Sequence, residues 1–511
     1  MYIASQREMQ ILDRYTIETL GLPGAVLMEN AGAAVVQEII AHFPSTETKI
    51  LILAGGGNNG GDGFVIARKL VDSGYEVMLC LAVSESHLKG DAKVHFDVYK
   101  KRNLPLFHYD ETNAEQLLTY IKHSNLIVDA LLGTGISGEV RAPFVDIIRL
   151  VNDSSKEVYA VDIPSGVNSN TGEVSNVAIK ASKTITFALP KIGFFIGEGP
   201  QYIGDWKVAD ISVPPEIVQI LQLDLPYLLD EQIAKRAVPK RVTYGHKGTF
   251  GHCLVIGGCI NYVGAPMYTA KAAFHTGVGL VTLAIPESIY SIVAVKCPES
   301  LYLPLPSDEG TITSSAFEEI DFSKFKVIAF GPGIGRKVNG DALWETLILK
   351  LSEQSIVVDA DAIYFMKNHL EKIKSYNGNV IVTPHPGEMA TLTGLTIKEV
   401  ENNRLEIAKQ FATKYNVYLL LKGHRSILAT PKGELWINPF GNDALGKGGS
   451  GDVLTGMITS FLTQGANPLD AMLAASYYHA TAAEQVGKEI SNYGITPMEV
   501  IHQVSKQLLD L

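Results

Sequence analysis

Short β-branched and aliphatic runs alternate with helical stretches along the first half of the chain. Segments 49–54, 76–83, 125–132, 157–163 and 184–188 have the length and composition of buried strands. Their alternation with helices predicts a parallel sheet covered on both faces. The same grammar restarts at 252–257 and continues at 326–330, 355–359, 379–383 and 417–422, so a second α/β domain is expected. Between the two, Pro214, Pro215, Pro226 and Pro239 interrupt any long helix or central strand. The boundary is placed near 220–226, giving domains 1–220 and 226–511. The halves share a grammar but no sequence repeat, which indicates fusion rather than duplication.

Composition narrows the classes. A chain of 511 residues exceeds what one hydrophobic core organises, and 46% hydrophobic with 19% charged residues is too apolar for general disorder. The net charge of -11, with both signs interspersed, provides no basic stripe for nucleic acid. Cys80, Cys253, Cys259 and Cys297 form no Cys-x-x-Cys pair and read as reduced core residues. Arg7, Glu8, Asp13, Arg14 and Glu18 break any signal-peptide run, and no segment reaches the ~20 apolar residues of a membrane span. A cytoplasmic homo-oligomer without membrane contact is expected.

Strand 49–54 runs into Gly55-Gly56-Gly57-Asn58-Asn59-Gly60-Gly61-Asp62-Gly63, with a helical pattern from Phe64. Glycines let backbone N–H groups approach an anion, and the helix N-terminus adds its positive dipole end. Gly55, Gly57 and Gly60 satisfy the dinucleotide fingerprint, a pattern with many chance matches, and the second strand lacks the acidic ribose partner at its end. A tight turn without a ligand would need one residue tolerant of positive φ. Two amides and a carboxylate go beyond that requirement. Asp129 lies in strand 125–132, ahead of Gly133-Thr134-Gly135-Ile136-Ser137-Gly138-Glu139, and Asp162 closes the next strand before Pro164-Ser165-Gly166. Asp162 alone could cap a turn, but three such elements beyond successive strand ends should converge on one crevice.

These three stretches, with Leu27-Met28-Glu29-Asn30-Ala31-Gly32, resemble the NAD(P)H-hydrate epimerase family in order and spacing over nearly all of residues 1–215. The resemblance implies a Rossmann-like three-layer sandwich. It places the hydrated dinucleotide on Asn58, Asn59, Gly60, Gly61, Asp62, Gly133, Thr134, Gly135, Ile136, Ser137, Gly138 and Glu139, with Asp162 catalytic beside the reactive ring. It also places a potassium ion on Asn59, Asp129 and Ser165, an oxygen set that suits a hard cation.

In the second half, Asn442-Asp443-Ala444-Leu445-Gly446-Lys447-Gly448-Gly449-Ser450-Gly451-Asp452 precedes a helical run. A glycine-rich loop opening onto a helix can hold a phosphate in transfer, and Asp452 in the first turn is placed to deprotonate a hydroxyl. The Walker A spacing is absent, and an N-cap alone would account for Asp452 but not for four glycines. The Gly-Gly-Ser-Gly-Asp stretch resembles the ribokinase-like superfamily. Within it, Thr383-Pro384-His385-Pro386-Gly387-Glu388-Met389, Gly331-Pro332-Gly333-Ile334-Gly335 and Lys422-Gly423-His424-Arg425-Ser426 resemble the NAD(P)H-hydrate dehydratases over about 240–505. That implies hydrate contacts from Ala265, Gly333, His385 and Asp452, the last catalytic. ADP with magnesium would lie on Lys422, Gly423, His424, Arg425 and Ser426 and on Asn442, Asp443, Ala444, Leu445, Gly446, Lys447, Gly448, Gly449, Ser450 and Gly451. Cys259 departs from relatives, which often have serine there. The expected function is repair of hydrated NADH and NADPH, by epimerisation and then ADP-dependent dehydration. The alternatives are a ribokinase-like small-molecule kinase fused to a dinucleotide-binding module, and a first half that only senses dinucleotide.

Overall fold

A computed structural model, which describes every residue except 137, 337, 338 and 511, divides the chain into Tyr2–Leu225 and Pro226–Leu511, the latter grouped with Met1. In the first unit β1 (Lys49–Ala54), β2 (Glu76–Leu81), β3 (Leu106–His108), β4 (Leu126–Ala130), β5 (Glu157–Val161), β6 (Lys183–Phe187) and β7 (Asp205–Ala209) form one sheet in the order β3-β2-β1-β4-β5-β6-β7. Every neighbouring pair is parallel. In β1 the alternation is complete: Ile50, Ile52 and Ala54 enter one core, and Leu51 and Leu53 enter the core on the opposite face. A strand buried on both faces reads as a continuous apolar run. Strand order reverses between β1 and β4, so a crevice opens beyond their carboxyl ends.

The second unit carries β8 (Tyr227–Leu228), β9 (His252–Ile256), β10 (Leu280–Pro286), β11 (Leu301–Leu305), β12 (Ser307–Asp308), β13 (Thr311–Ile312), β14 (Val327–Phe330), β15 (Ser355–Val358), β16 (Val380–Val382), β17 (Tyr418–Leu421), β18 (Ile427–Ala429) and β19 (Leu435–Ile437). Ten of these order as β11-β10-β9-β14-β15-β16-β17-β18-β19-β8, and β12 pairs with β13 alone. The run from β11 to β17 is parallel, whereas β18 is antiparallel to both neighbours. The sheet is therefore mixed. Cys253 and Val255 face one core, Leu254 and Ile256 the other.

The strand pattern missed β3 and β7 in the first unit. The former has three residues, and the latter is an edge strand whose Asp205 and Lys207 are exposed. All four cysteines are free and buried, and burial pushes the Cys80 and Cys253 thiols up to about 12. Among the described residues no helix is long and apolar enough to cross a membrane.

The helix after β1 begins at Asn58, six residues before the apolar pattern starts. Its glycine-rich first turns have no apolar periodicity to read, because they pack backbone against backbone. A Cβ on Gly55 would lie 1.9 Å from the Leu131 carbonyl oxygen, and one on Gly60 would lie 2.0 Å from the Gly55 carbonyl oxygen. Alanine for glycine inside a helix ordinarily gains ~1 kcal/mol. At Gly60 the clash reverses the sign, and Gly60→Ala should cost about 2 kcal/mol or more. Gly57, whose φ is -91° and whose Cβ direction is open, should accept alanine with an unchanged melting temperature. Calorimetry on the two variants checks the pair.

Candidate active sites

The first crevice is a cleft of about 800 Å³ beyond the carboxyl ends of β1, β4 and β5. Asn58, Asn59, Asp62, Gly133, Thr134, Gly135, Ile136, Glu139 and Asp162 line it. Gly60 and Gly61 do not. They lie buried in the helix Asn58–Asp72, where Gly61 lets Met28 and Ala92 approach. These two glycines set backbone distance and stand behind the wall. Gly138 is exposed and off the lining, and Ser137 lies outside the described residues.

Asp162 follows β5 in the left-handed region, at φ 64°. Its Oδ1 accepts from Lys191 Nζ at 2.5 Å, from Thr186 Oγ1 at 3.1 Å and from the Phe187 N–H at 3.1 Å. Lys191 is fully buried, and its ammonium also donates to Thr186 Oγ1 and to the Phe187 and Leu189 carbonyls. No periodicity signals a buried lysine, and only the fold reveals it. Asp13, on the helix Gln6–Arg14, lines the same cleft. Burial first, then Asp162, pushes its carboxyl up to about 6, against the pull of Lys191. Burial, Asp162 and Asp13 likewise hold Asp62 well above the usual carboxylate range.

Asn59, Asp129 and Ser165 meet at one point. The Leu132 carbonyl accepts from Asn59 Nδ2 at 3.0 Å and from Ser165 Oγ at 3.1 Å. Asp129, fully buried, accepts from Ser165 Oγ at 2.6 Å and from the Ser165 and Leu131 N–H groups. All these donors are neutral. Burial therefore prevails over the Ser165 hydrogen bonds and pushes Asp129 up to about 6.

In the second unit the carboxyl ends of β14 to β17 deliver Gly331–Gly335, Asp359, His385 and Lys422 to one place. The helix Ser450–Thr463 presents its N-terminus there, with Asp452 in its first turn. Lys422 Nζ donates to Asp359 Oδ1 at 2.8 Å, and Thr455 Oγ1 donates to Oδ2 at 2.7 Å. Burial opposes charge on Asp359, but Lys422 prevails and holds it below the usual range. Asp452 lacks such a partner, and burial, then Asp359, pushes it up to about 7 against Lys422. A side chain on Gly451 would come within 3.3 Å of Lys422 Nζ, which fixes the helix entrance over the pair.

His385 is the N-cap of the helix Pro386–Thr393, its Nδ1 accepting from the Gly387 and Glu388 N–H groups. Glu388 returns the cap at the His385 N–H, and burial pushes its carboxyl up to about 7, against Lys422. Gly333, at φ 66°, sits against Ala265: a Cβ there would lie 2.8 Å from the Ala265 Cβ. Gly335 donates to Asp361, and this joins the glycine turn to the carboxylates.

The proposed nucleotide residues divide. Gly423, His424, Asp443, Gly446 and Gly448 are exposed, while Arg425, Ser426, Asn442, Leu445, Gly449 and Gly451 are half-buried. The Lys447 ammonium is spent on the Asn492, Tyr493 and Ile495 carbonyls. Ala444 belongs to the core, and buried Ser450 pairs with His479 at 3.3 Å. Side chains at 444, 447 and 450 therefore hold the loop, and ligand contacts there fall to its backbone. Arg404, also missed, is buried and donates to the Leu421, Lys422 and His424 carbonyls, which sets the course of the chain past Lys422.

Fold and sites together define a two-domain α/β enzyme, Rossmann-like in its first half and ribokinase-like in its second. Residues 24–193 match the family described as YjeF-related protein N-terminus, and residues 253–506 match the family described as NAD(P)H-hydrate dehydratase. A bifunctional NAD(P)H-hydrate repair enzyme of Moorella thermoacetica is 36% identical over 495 residues, covering 96% of this chain and 93% of that one. A protein of the same description from Coxiella burnetii is 32% identical over 494 residues, covering 96% of each. Among solved structures, an ADP/ATP-dependent NAD(P)H-hydrate dehydratase from Bacillus subtilis, co-crystallized with ATP/Mg2+, aligns with 28% identity and a TM-score of 0.49, covering 56% of this chain and 99% of that one. The chain belongs to the family of bifunctional NAD(P)H-hydrate repair enzymes.

The Lys422–Asp359 pair in the second crevice makes a stability prediction. Lys422→Met leaves Asp359 without its cation and should lower the unfolding free energy by about 3–5 kcal/mol. Adding Asp359→Asn should restore part of the loss. Urea unfolding of both single variants and the double variant checks this, and strictly additive losses would dissolve the pair.

Proposed function

We propose that the chain repairs hydrated NADH and NADPH. The first crevice interconverts the R and S hydrates, and the second dehydrates the S epimer with ADP, releasing AMP and phosphate. The observation that carries this reading is one chain with two separate carboxylates, Asp162 and Asp452, each beside a glycine turn at the carboxyl end of a sheet. C6 of the hydrated ring bears a hydroxyl and adjoins N1, whose lone pair can expel the hydroxyl once it is protonated. Three donors hold Asp162 Oδ1 in place, so Oδ2 is the oxygen that exchanges a proton with substrate.

In the second crevice Asp452 takes the proton of the C6 hydroxyl as phosphate arrives. Backbone N–H groups of 448–451 and the dipole of the helix Ser450–Thr463 receive the phosphate charge. Phosphate leaves far more readily than hydroxide. Its departure from C6 and loss of a proton from C5 restore the dihydronicotinamide. Magnesium would enter on the nucleotide and neutralise charge on its phosphates. Among the described residues no three acidic, histidine or cysteine side chains converge to hold a metal without that nucleotide.

Asn59, Asp129 and Ser165, with the Leu132 carbonyl, fit a potassium ion, because buried Asp129 meets only neutral donors. Bound there, the ion would supply the positive charge that the carboxylate otherwise lacks. Replacing potassium with tetramethylammonium should slow epimerisation and leave ADP-driven dehydration unchanged. Equal epimerisation rates in the two salts would remove the ion from the site.

Incubation of mixed NADPH-hydrate epimers with and without ADP tests the two activities together. Asp162→Ala should abolish epimer interconversion and leave S-hydrate conversion intact. Asp452→Asn should lower NADPH and phosphate formation by about 10²- to 10⁴-fold while epimers still interconvert. Because Asp452 must be deprotonated to act, the dehydration rate should climb as pH rises through about 7. A rate indifferent to pH there would assign the base elsewhere.

A further inference from the structure

The first crevice holds a carboxyl group that the reading above leaves without work. Asp13 lies on the helix Gln6–Arg14, which begins in a capping box between Ser5 and Glu8. The residue before that box is tied to the lysine segment, since the Ala4 N–H donates to the Pro190 carbonyl at 3.0 Å and the Ile192 N–H to the Ala4 carbonyl at 3.0 Å. The helix is thereby anchored on the loop that supplies Lys191. Gln6, Gln10, Asp13 and Ile17 share one face and all line the cleft. Asp62 faces Asp13 from the helix Asn58–Asp72, Asp162 from the end of β5 and Lys191 from beyond β6, while Asp91, Glu139 and Arg141 lie further along the same lining.

Loss and return of a hydroxyl require an acid and a base in the same turnover. Asp162 is built as the base, because its Oδ1 already accepts from an ammonium, a hydroxyl and an amide. We propose that Asp13 is a second catalytic residue of the epimerase, the acid that protonates the departing C6 hydroxyl while Asp162 receives the proton of the water that returns. The inference rests on the hydrate-epimerase reading.

The atoms balance. A proton passes from the Asp13 carboxyl to the C6 oxygen, the C6–O bond breaks with its electron pair leaving as water, and the N1 lone pair forms the N1=C6 bond. Water then adds to the opposite face of C6, its oxygen forming the new bond and its proton passing to Asp162. A proton returned through solvent from Asp162 to Asp13 resets the pair, and nothing is consumed. Asp13 is pushed up to about 6 by burial and by Asp162.

The test is epimerisation of NADPH hydrate by the full chain, with the uncatalysed rate subtracted, in wild type, Asp13→Asn, Asp13→Glu and Asp162→Ala. Asp13→Asn should lower kcat by about 10²-fold or more. Its KM should stay within a factor of about three, which shows that the first unit is folded and binds the hydrate, and ADP-driven dehydration of the S epimer should be unchanged. An acid works only while protonated, so wild-type kcat should fall as pH rises through about 6. That limb should vanish in Asp13→Asn and persist, at reduced rate, in Asp13→Glu. A normal rate in Asp13→Asn beside an inactive Asp162→Ala overturns the role of Asp13 and leaves the epimerase standing. So does a loss confined to KM, or a wild-type rate that does not fall across the pH range. Wild type that interconverts no epimers overturns the epimerase reading, and the proposal with it.

Discussion

A lysine ammonium paired with a carboxylate, one partner of each pair fully buried, at the carboxyl ends of parallel strands, organises both halves of this chain. Taking either ion out of water costs several kcal/mol, so each must be surrounded by groups that replace its hydration. Lys191 finds the Asp162 carboxylate beyond β5, the Thr186 hydroxyl and Phe187 carbonyl at the end of β6, and the Leu189 carbonyl in the turn that follows. Lys422 finds Asp359, which in turn holds Thr455 in the helix that carries Asp452. Strand ends suit this purpose, because the chain leaves the sheet there and its polar backbone groups become free to turn inward. Asp162 and Asp452 then take their positions from the lysines: Asp162 by direct contact, Asp452 by the helix turn packed over the pair.

The two crevices differ in how a fully buried carboxylate is balanced. Asp359 meets a cation and is held as an anion, whereas Asp129 meets only a hydroxyl and amides and is pushed towards its neutral form. The first arrangement is complete as it stands. The second would be completed by the potassium ion proposed for Asn59, Asp129 and Ser165. That difference, more than any difference in fold, separates the two centres.

The parts legible in the sequence were those where chemistry and chain direction coincide. Asp129, Asp162 and Asp452 each stand at the junction of an apolar run and a glycine turn, and a linear pattern displays such junctions. The central strands were equally plain, because burial on both faces writes an unbroken apolar string. Lys191, Asp359 and Arg404 were invisible for the opposite reason: a buried charge is defined by partners distant in sequence, and a lone lysine or arginine looks like surface. Gly60 and Gly61 are legible as special, but a glycine that admits a ligand and one that admits a neighbouring backbone or side chain are spelled alike, and their tight packing shows only in three dimensions. The pattern groups Lys447 with its loop, and only the structure shows its ammonium bound to three carbonyls 45 to 48 residues further on. The edge strand β7 and the antiparallel β18 and β19 carry too little pattern to be separated from loops.

The tether from Lys447 reaches forward 45 to 48 residues, to carbonyls at 492, 493 and 495. The glycine loop is thus shaped by chain that the ribosome delivers later. A nascent polypeptide can close the sheet of the second unit, complete β19 and expose a loop of correct sequence while its helix entrance still lacks the strap that sets its course. The course of the glycine loop therefore rests on a contact that forms only once residues 492–495 have folded against it.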